Sequence, residues 1–433
     1  MYIEPVRHII AQIKKTYKMA EHSGSPDVVK NAFLLSGLQI ISYLVPIIVI
    51  PYLFRVLGPE KFGLIAFAQA FIQYFMIITD YAFNISATKE VSLARGNKTK
   101  ISEIFSAVMT AKLILLMLSA LALALIVLFV PKFKHDQLLY VVSFGAVIGN
   151  ALFPSWLFQG IEKMKYIVQV KMAGEFAFAL SILFIIREPE DYLLIPLLNS
   201  IIFSATGLIG FLVVFGQLKL VFKFPKLKAL KHQFKAGKNL FFSIVAINAY
   251  TTTRIFAVGL ITNNTLTGFY SIAEKIANIA QTFPLASFSQ AIFPRLSHIY
   301  RKNKSMAFEL MRQVQQITMN LSLFTFPIII LFAPAIIRLT CGGDYPVAVL
   351  TLRLLMLSVF FVSWNAFRVQ FLLVSGHTDI YAWIHIRMAT VGLPLLIFSV
   401  YNFSYVGAAM ATVLIEAGIF FLTAYKLSKL KFN

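Results

Sequence analysis

Residues 53–71 read LFRVLGPEKFGLIAFAQAF, and residues 266–284 read LTGFYSIAEKIANIAQTFP. Each places a glycine, four mixed residues, an alanine and then Gln or Glu: Gly63 to Ala68 and Gln69, Gly268 to Ala273 and Glu274. The approach recurs as well. Lys30-Asn31 precedes the first copy and Lys238-Asn239 the second, with 32 residues from Asn31 to Gly63 and 29 from Asn239 to Gly268. Residue types and spacing agree, so the 433-residue chain is read as an internal duplication with a period near 205 residues.

What is duplicated follows from composition. Apolar residues make up 59% of the chain and charged residues 13%, whereas a soluble domain is nearer ~45–50% and ~25%. Mean hydropathy is +0.78. A run such as LILLMLSALALALIVLFV (113–130) suits hydrocarbon, where ~20 apolar residues span the core. The spacing predicts twelve spans, near 31–54, 62–83, 104–130, 137–158, 165–186, 192–218, 239–261, 266–293, 313–337, 346–374, 379–400 and 404–425. The expected fold is therefore an all-α membrane protein with twelve transmembrane helices in two six-helix lobes. Because six is even, both lobes enter from the same side. The repeat is then parallel, about an axis along the membrane normal, with a central cavity between the lobes.

The domain reading is an N-terminal segment 1–29, a first lobe 30–218, a basic linker 219–238 and a second lobe 239–433. In the N-terminal segment Ile3, Val6, Ile10, Ile13 and Tyr17 recur at helical spacing opposite Arg7, Lys14, Lys15 and Lys18. That pattern predicts an amphipathic helix on a membrane surface. Ser25-Pro26 then reads as a helix start, with Ser as N-cap and Pro at the first position.

Net charge is +21, and its location gives the orientation. With the N-terminus cytoplasmic, segments on the inner side hold 26 Lys and Arg and the outer loops hold 6. Both termini are therefore expected inside. The linker KLVFKFPKLKALKHQFKAGK (219–238) is the most basic segment. Twenty residues build no nucleic-acid module, so the expected neighbours are anionic membrane lipids. A single cysteine, Cys341, excludes an intramolecular disulfide and a Cys-based zinc site. No GxxxxGK[ST], HExxH or GxSxG pattern appears, and the histidines do not cluster. No enzyme, metal or cofactor reading is supported.

Seven basic residues fall inside spans: Lys112, Lys171, Arg254, Lys275, Arg353, Arg368 and Arg387. Each costs ~2.5–3.5 kcal/mol at a helix centre facing lipid, so most must face a wet interior or a partner. Lys171 and Glu175 are four apart and can neutralise each other. Arg254 and Glu274 lie at matching depth from the outer side, which predicts an ion pair. Glu416 lies near mid-membrane with no basic residue at its depth, and with Glu274 it is the candidate for carrying a coupled ion. The excess positive charge predicts a cationic cavity that binds an anion such as phosphate. Lys275, Arg254, Lys112, Arg368 and Arg387 are its candidate contacts.

Four stretches carry a resemblance: RVLGPEKFGLIAFAQAF (55–71), TDYAFNISATKEVS (79–92), WLFQGIEKMKYI (156–167) and GFYSIAEKIANIAQTFPLASFSQAIFPRLS (268–297). Together they resemble the polysaccharide-transporter family, more narrowly its O-antigen flippases (Wzx type). That family shares a superfamily with multidrug and toxin extrusion antiporters and the lipid II flippase. One departure is Ala82, where the DYGFN-type phrase usually has glycine; the expected effect is a stiffer helix end. The resemblance implies twelve spans in two lobes in a bacterial inner membrane. It also implies transfer of an undecaprenyl-pyrophosphate-linked oligosaccharide from the inner to the outer leaflet by alternating access. H+ or Na+ is the implied coupling ion, and a polymerase and a chain-length regulator of the same pathway are implied partners. The alternative is an ion-coupled antiporter of the multidrug and toxin extrusion type, which would want an acidic cavity.

Overall fold

The computed structural model describes the backbone of residues 26–430, with side chains at Ser42 and from Leu44 onward except at 283, 284, 286–291, 293–295 and 298. The amphipathic segment expected near the N-terminus lies outside the described residues. Among those described there is no strand. The helices are α1 (Pro26–Asp80), α2 (Phe83–Leu93), α3 (Lys98–Phe129), α4 (Pro131–Lys134), α5 (Gln137–Ser143), α6 (Gly145–Leu152), α7 (Ser155–Gly160), α8 (Met164–Ile185) and α9 (Leu194–Gly216). After the linker come α10 (Leu227–Thr251), α11 (Thr253–Ile261), α12 (Asn264–Lys302), α13 (Lys304–Leu331), α14 (Ala333–Cys341), α15 (Pro346–Val374) and α16 (Thr378–Ser428). Among the described residues eight helical stretches are long and apolar enough to cross a membrane, or nine if α10 and α11, bent by 46°, count as one.

Local chemistry sets these boundaries. Asn97, Asn263 and Asn303 cap α3, α12 and α13, each side-chain oxygen accepting a backbone N–H at 2.9 Å, which satisfies a donor the helix start leaves free. The Leu57-Gly58-Pro59 stretch turns the chain inside α1. Gly58 has φ 70 and ψ 172, a conformation that costs glycine little and other residues much. The rings of Phe54 and Phe62 lie 5.1 Å apart, although eight residues of straight helix would cover about 12 Å; the chain therefore doubles back at Gly58. A second reversal sits at Ser404, φ 55 and ψ −138. There a Cβ on Gly407 would lie 1.8 Å from the Ser399 carbonyl oxygen.

The repeated phrase has a packing role. α1 and α12 cross backbone to backbone at its two glycines. A Cβ on Gly63 would stand 1.8 Å from the Asn264 carbonyl oxygen and 2.5 Å from the Gly268 nitrogen. One on Gly268 would stand 2.0 Å from the Pro59 carbonyl oxygen. Around this crossing one apolar core takes Phe54, Phe62 and Ile65 from the first half of the chain and Tyr270, Ile272 and Leu352 from the second. Arg55 adds a polar clamp: it donates to the carbonyls of Leu339 and Thr340 at the C-terminus of α14, where the helix dipole favours a cation. The halves are thus joined at the Gly58 end, and they meet again at the far end of α1, where Tyr81 stacks on Phe241 at 4.4 Å and Gln233 donates to Glu90 at 2.8 Å.

Two of the quoted stretches pack on each other. Asp80 accepts from Lys112 Nζ at 3.0 Å and from Asn84, whose own amide oxygen accepts from Ser155 at 2.9 Å. Thr88 donates to the Trp156 carbonyl, and Arg95 donates to the Gly160 carbonyl and pairs with Glu162 at 2.7 Å. Ala82 is more than a stiffer helix end: its φ is 62, a left-handed conformation that costs a Cβ-bearing residue ~1–2 kcal/mol. The linker also differs from a plain loop. Residues from Leu227 onward belong to α10, and the extended part is tied down by Val221 and Lys223 N–H groups donating to Ser102 and Ser106.

Candidate functional site

Away from the Gly58 end, the halves enclose a cavity of about 710 Å³. The first half contributes Ala66, Gln69, Ala70 and Gln73, all neutral and all from the second limb of α1. Every charged residue on the wall comes from the second half: Arg254, Glu274, Lys275 and Glu416. The two copies of the repeated phrase therefore face one another across the cavity, Gln69-Ala70 against Glu274-Lys275.

Arg254 organises the charge. Its Nη2 lies 2.7 Å from Glu416 Oε1 and its Nη1 lies 3.9 Å from Glu274 Oε1. Its Nε donates to the Tyr250 carbonyl at 2.9 Å. The bend between α10 and α11 turns Arg254 toward α16. Glu416 therefore does have a basic partner, contrary to the expectation from depth. It stands twelve residues past the Ser404 reversal, and the long arginine side chain bridges the offset. Tyr250 Oη, in turn, shares a hydrogen bond of 2.8 Å with His385 Nδ1, and both line the cavity.

Adjacent helical residues differ in direction by about 100°, so Glu274 and Lys275 diverge. Glu274 is buried beside Arg254. Lys275 lines the cavity and makes no ion pair among the described residues. With Arg254 and Lys275 against Glu274 and Glu416, the wall carries as much formal negative as positive charge, and its positive group outside the ion pairs is Lys275.

The other expected contacts lie elsewhere. Lys112 is buried against Asp80, its side chain 2% exposed; a neighbouring carboxylate claims it. Arg368 donates to Gln315 at 3.2 Å and lies over the Phe420 ring. Arg387 lies over the Trp383 ring. None of the three reaches the cavity wall, so the expected gathering of cations is not found there. Lys171 stands over the Phe153 ring, and Glu175 accepts from Ser42 Oγ at 2.7 and 2.9 Å instead of contacting Lys171. Among the described residues no group of His, Cys, Asp and Glu is arranged to hold a metal ion. Sequence reasoning did not single out Tyr250 or place Asp80 against Lys112. Asp80 carried a visible signal, as a carboxylate at a span end.

Comparison with known proteins bears on family and fold. The family model described as polysaccharide biosynthesis protein matches residues 28–300. A protein of Escherichia coli (strain K12), provisionally named an O-antigen transporter, is 28% identical over 389 residues, covering 89% of this chain and 93% of that one. A Shigella dysenteriae protein with the same provisional name is 29% identical over 273 residues, covering 62% and 67%. Among solved structures, the lipid II flippase MurJ in an inward closed conformation superposes with TM-score 0.76 at 12% identity, covering 92% of this chain and 88% of that one. An inward-facing multidrug resistance MATE family transporter of the MOP superfamily gives TM-score 0.68 at 13% identity, covering 89% and 94%. The fold is that of these transporters.

Proposed function

Because the chain belongs to the polysaccharide biosynthesis protein family, we propose that it is a flippase for lipid-linked oligosaccharides. It moves a polyprenyl-pyrophosphate-linked repeat unit, of the O-antigen kind, from the cytoplasmic to the periplasmic leaflet of a bacterial inner membrane. The observation that carries this reading is Lys275, an unpaired ammonium on the wall of a cavity between the two halves, with Arg254 committed to Glu274 and Glu416. In low dielectric such a group binds a pyrophosphate by charge-assisted hydrogen bonds, while Gln69, Gln73, Asn278 and Gln281 offer donors and acceptors to sugars.

Architecture and orientation belong to the same proposal. Taking the nine stretches, with α10 and α11 as one, splitting α1 at Gly58 and α16 at Ser404 adds two and α12 adds one, for twelve spans. They form lobes 30–218 and 239–433, joined by the basic segment 219–238. With basic segments inside, both termini are cytoplasmic, and the sealed Gly58 end is periplasmic. Alternating access then requires the contacts at the opposite end, Tyr81 with Phe241 and Glu90 with Gln233, to part for loading from the cytoplasmic side. Glu274 and Glu416 are our candidates for a coupling H+ or Na+, which would have to displace Arg254 from them, with Glu175 hydrogen-bonded in the first lobe. A polymerase and a chain-length regulator would take up the delivered unit.

The alternative, export of organic cations as by a multidrug antiporter, asks for surplus negative charge in the cavity. Here Arg254 already occupies both carboxylates. Reconstitution separates the readings: vesicles carrying the purified protein and a lipid-linked oligosaccharide are probed with an externally added lectin. Protein-dependent transfer of glycan between leaflets supports the flippase. Transfer unchanged by the protein, together with uptake of organic cations, supports the antiporter.

A further inference from the structure

Beside the polar cavity runs a second one, of about 300 Å³, inside the first half of the chain. Its wall is largely hydrocarbon, with Val45, Val49, Leu53, Phe62, Ile65 and Phe178 facing the space. The two cavities meet along three shared residues, Ala66, Gln69 and Lys275. Lys275 therefore stands on a seam, with amides and hydroxyls on one side and aliphatic and aromatic groups on the other.

An ammonium that makes no ion pair, at the mouth of an apolar space, is stabilised by an anion that meets it. A molecule that suits the whole arrangement has a polar part, an anionic joint and a hydrocarbon part, in that order. We propose that the apolar cavity is a subsite for the first isoprene units of the substrate's polyprenyl chain. Lys275 then holds the pyrophosphate on the seam while the sugars occupy the polar cavity. This rests on the flippase reading above and adds where the lipid lies and which way round the substrate is held.

The polar groups of the apolar cavity support the direction. Glu175 lines it, with both carboxylate oxygens accepting from Ser42. Like charge repels, so this carboxylate keeps the pyrophosphate out of the slot and at Lys275, while a neutral chain passes. Leu53, Leu57 and Phe62 place the far wall of the slot beside the Gly58 turn. The tail accordingly points from the seam toward the end of the molecule where the substrate is to be delivered.

The test uses the full-length protein in lipid nanodiscs with two probes, inorganic pyrophosphate and farnesyl pyrophosphate, and reads their affinities. Farnesyl pyrophosphate is expected to bind at least about tenfold tighter, the gain that burying two methylene groups brings. Val49→Phe and Val45→Phe, which fill the slot, are expected to remove that gain and leave pyrophosphate binding within about twofold, a difference too small to signal a lost contact. Thermal midpoints establish that the variants are folded, and two positions guard against one that is not. Equal binding of the two probes by the native protein overturns the slot, as does a gain that survives both substitutions. The flippase reading is judged separately: transport that persists in Val49→Phe but stops in Lys275→Gln leaves it standing while the slot falls, and vesicles in which the native protein moves no lipid-linked glycan remove both.

Discussion

A guanidinium held between a buried carboxylate, Glu274, and a partly buried one, Glu416, fixes what each of the three can do. Removing one partner from such a buried set leaves an uncompensated charge and costs ~3–5 kcal/mol. Arg254→Met should lower stability by about that amount in denaturant unfolding of the purified protein, and adding Glu274→Gln with Glu416→Gln should restore most of it. No recovery in the triple variant would show that the three charges are not one unit. Lys275, which the proposed function sets against the substrate, should behave differently. Charge-assisted hydrogen bonds are worth ~1.5–3 kcal/mol, so Lys275→Gln should lose about tenfold or more in transport, while Lys275→Arg keeps part of it. Transport restored in Glu274→Gln/Lys275→Gln would mean that the two charges merely neutralise each other. Ala82, at φ 62, predicts the opposite sign: Ala82→Gly should raise stability by about 1 kcal/mol in the same unfolding experiment. The sequence exposes Arg254 and Glu274 as partners because both are counted from one short connection. Glu416 escapes that count, since its residue depth does not include the reach of an arginine side chain. Lys112 escapes it because its partner, Asp80, comes from a neighbouring helix.

The elements divide in the same way. The reversal inside α1 is readable from Leu57-Gly58-Pro59, where glycine supplies the positive φ and proline starts the next helix. The bend between α10 and α11 has no such mark. Thr251 donates to the Ile247 carbonyl, and such back-bonding bends helices without a glycine or proline. The crossing of α1 and α12 shows why the glycines of the repeated phrase recur: neither leaves room for a Cβ. A side chain there should hold the Gly58 end open. With Cys341→Ala removing the native thiol, Asn278→Cys on the cavity wall should become more reactive toward a membrane-impermeant thiol reagent added outside when Gly63→Val or Gly268→Val is introduced. Labelling unchanged by both substitutions would mean that this crossing is not what closes the outer end.

At the scale of the whole molecule, hydropathy carries most of what can be read beforehand: the helical class and the presence of many membrane-spanning helices. It does not carry the distribution of charge around the cavity, since pairing across helices is decided by packing. Orientation is checked by a reporter active only outside the membrane, expected to be active when fused after Asn264 and silent after Lys228; the reverse pattern inverts the molecule. The most direct measurement is made in the host cell. With the gene deleted, the lipid-linked repeat unit is quantified and its leaflet read by lectin access in spheroplasts. The expected result is accumulation of the unit in the inner leaflet, relieved by the wild-type gene and not by Lys275→Gln at equal protein level. Undiminished delivery of the unit to the outer leaflet without this chain would contradict its being the flippase.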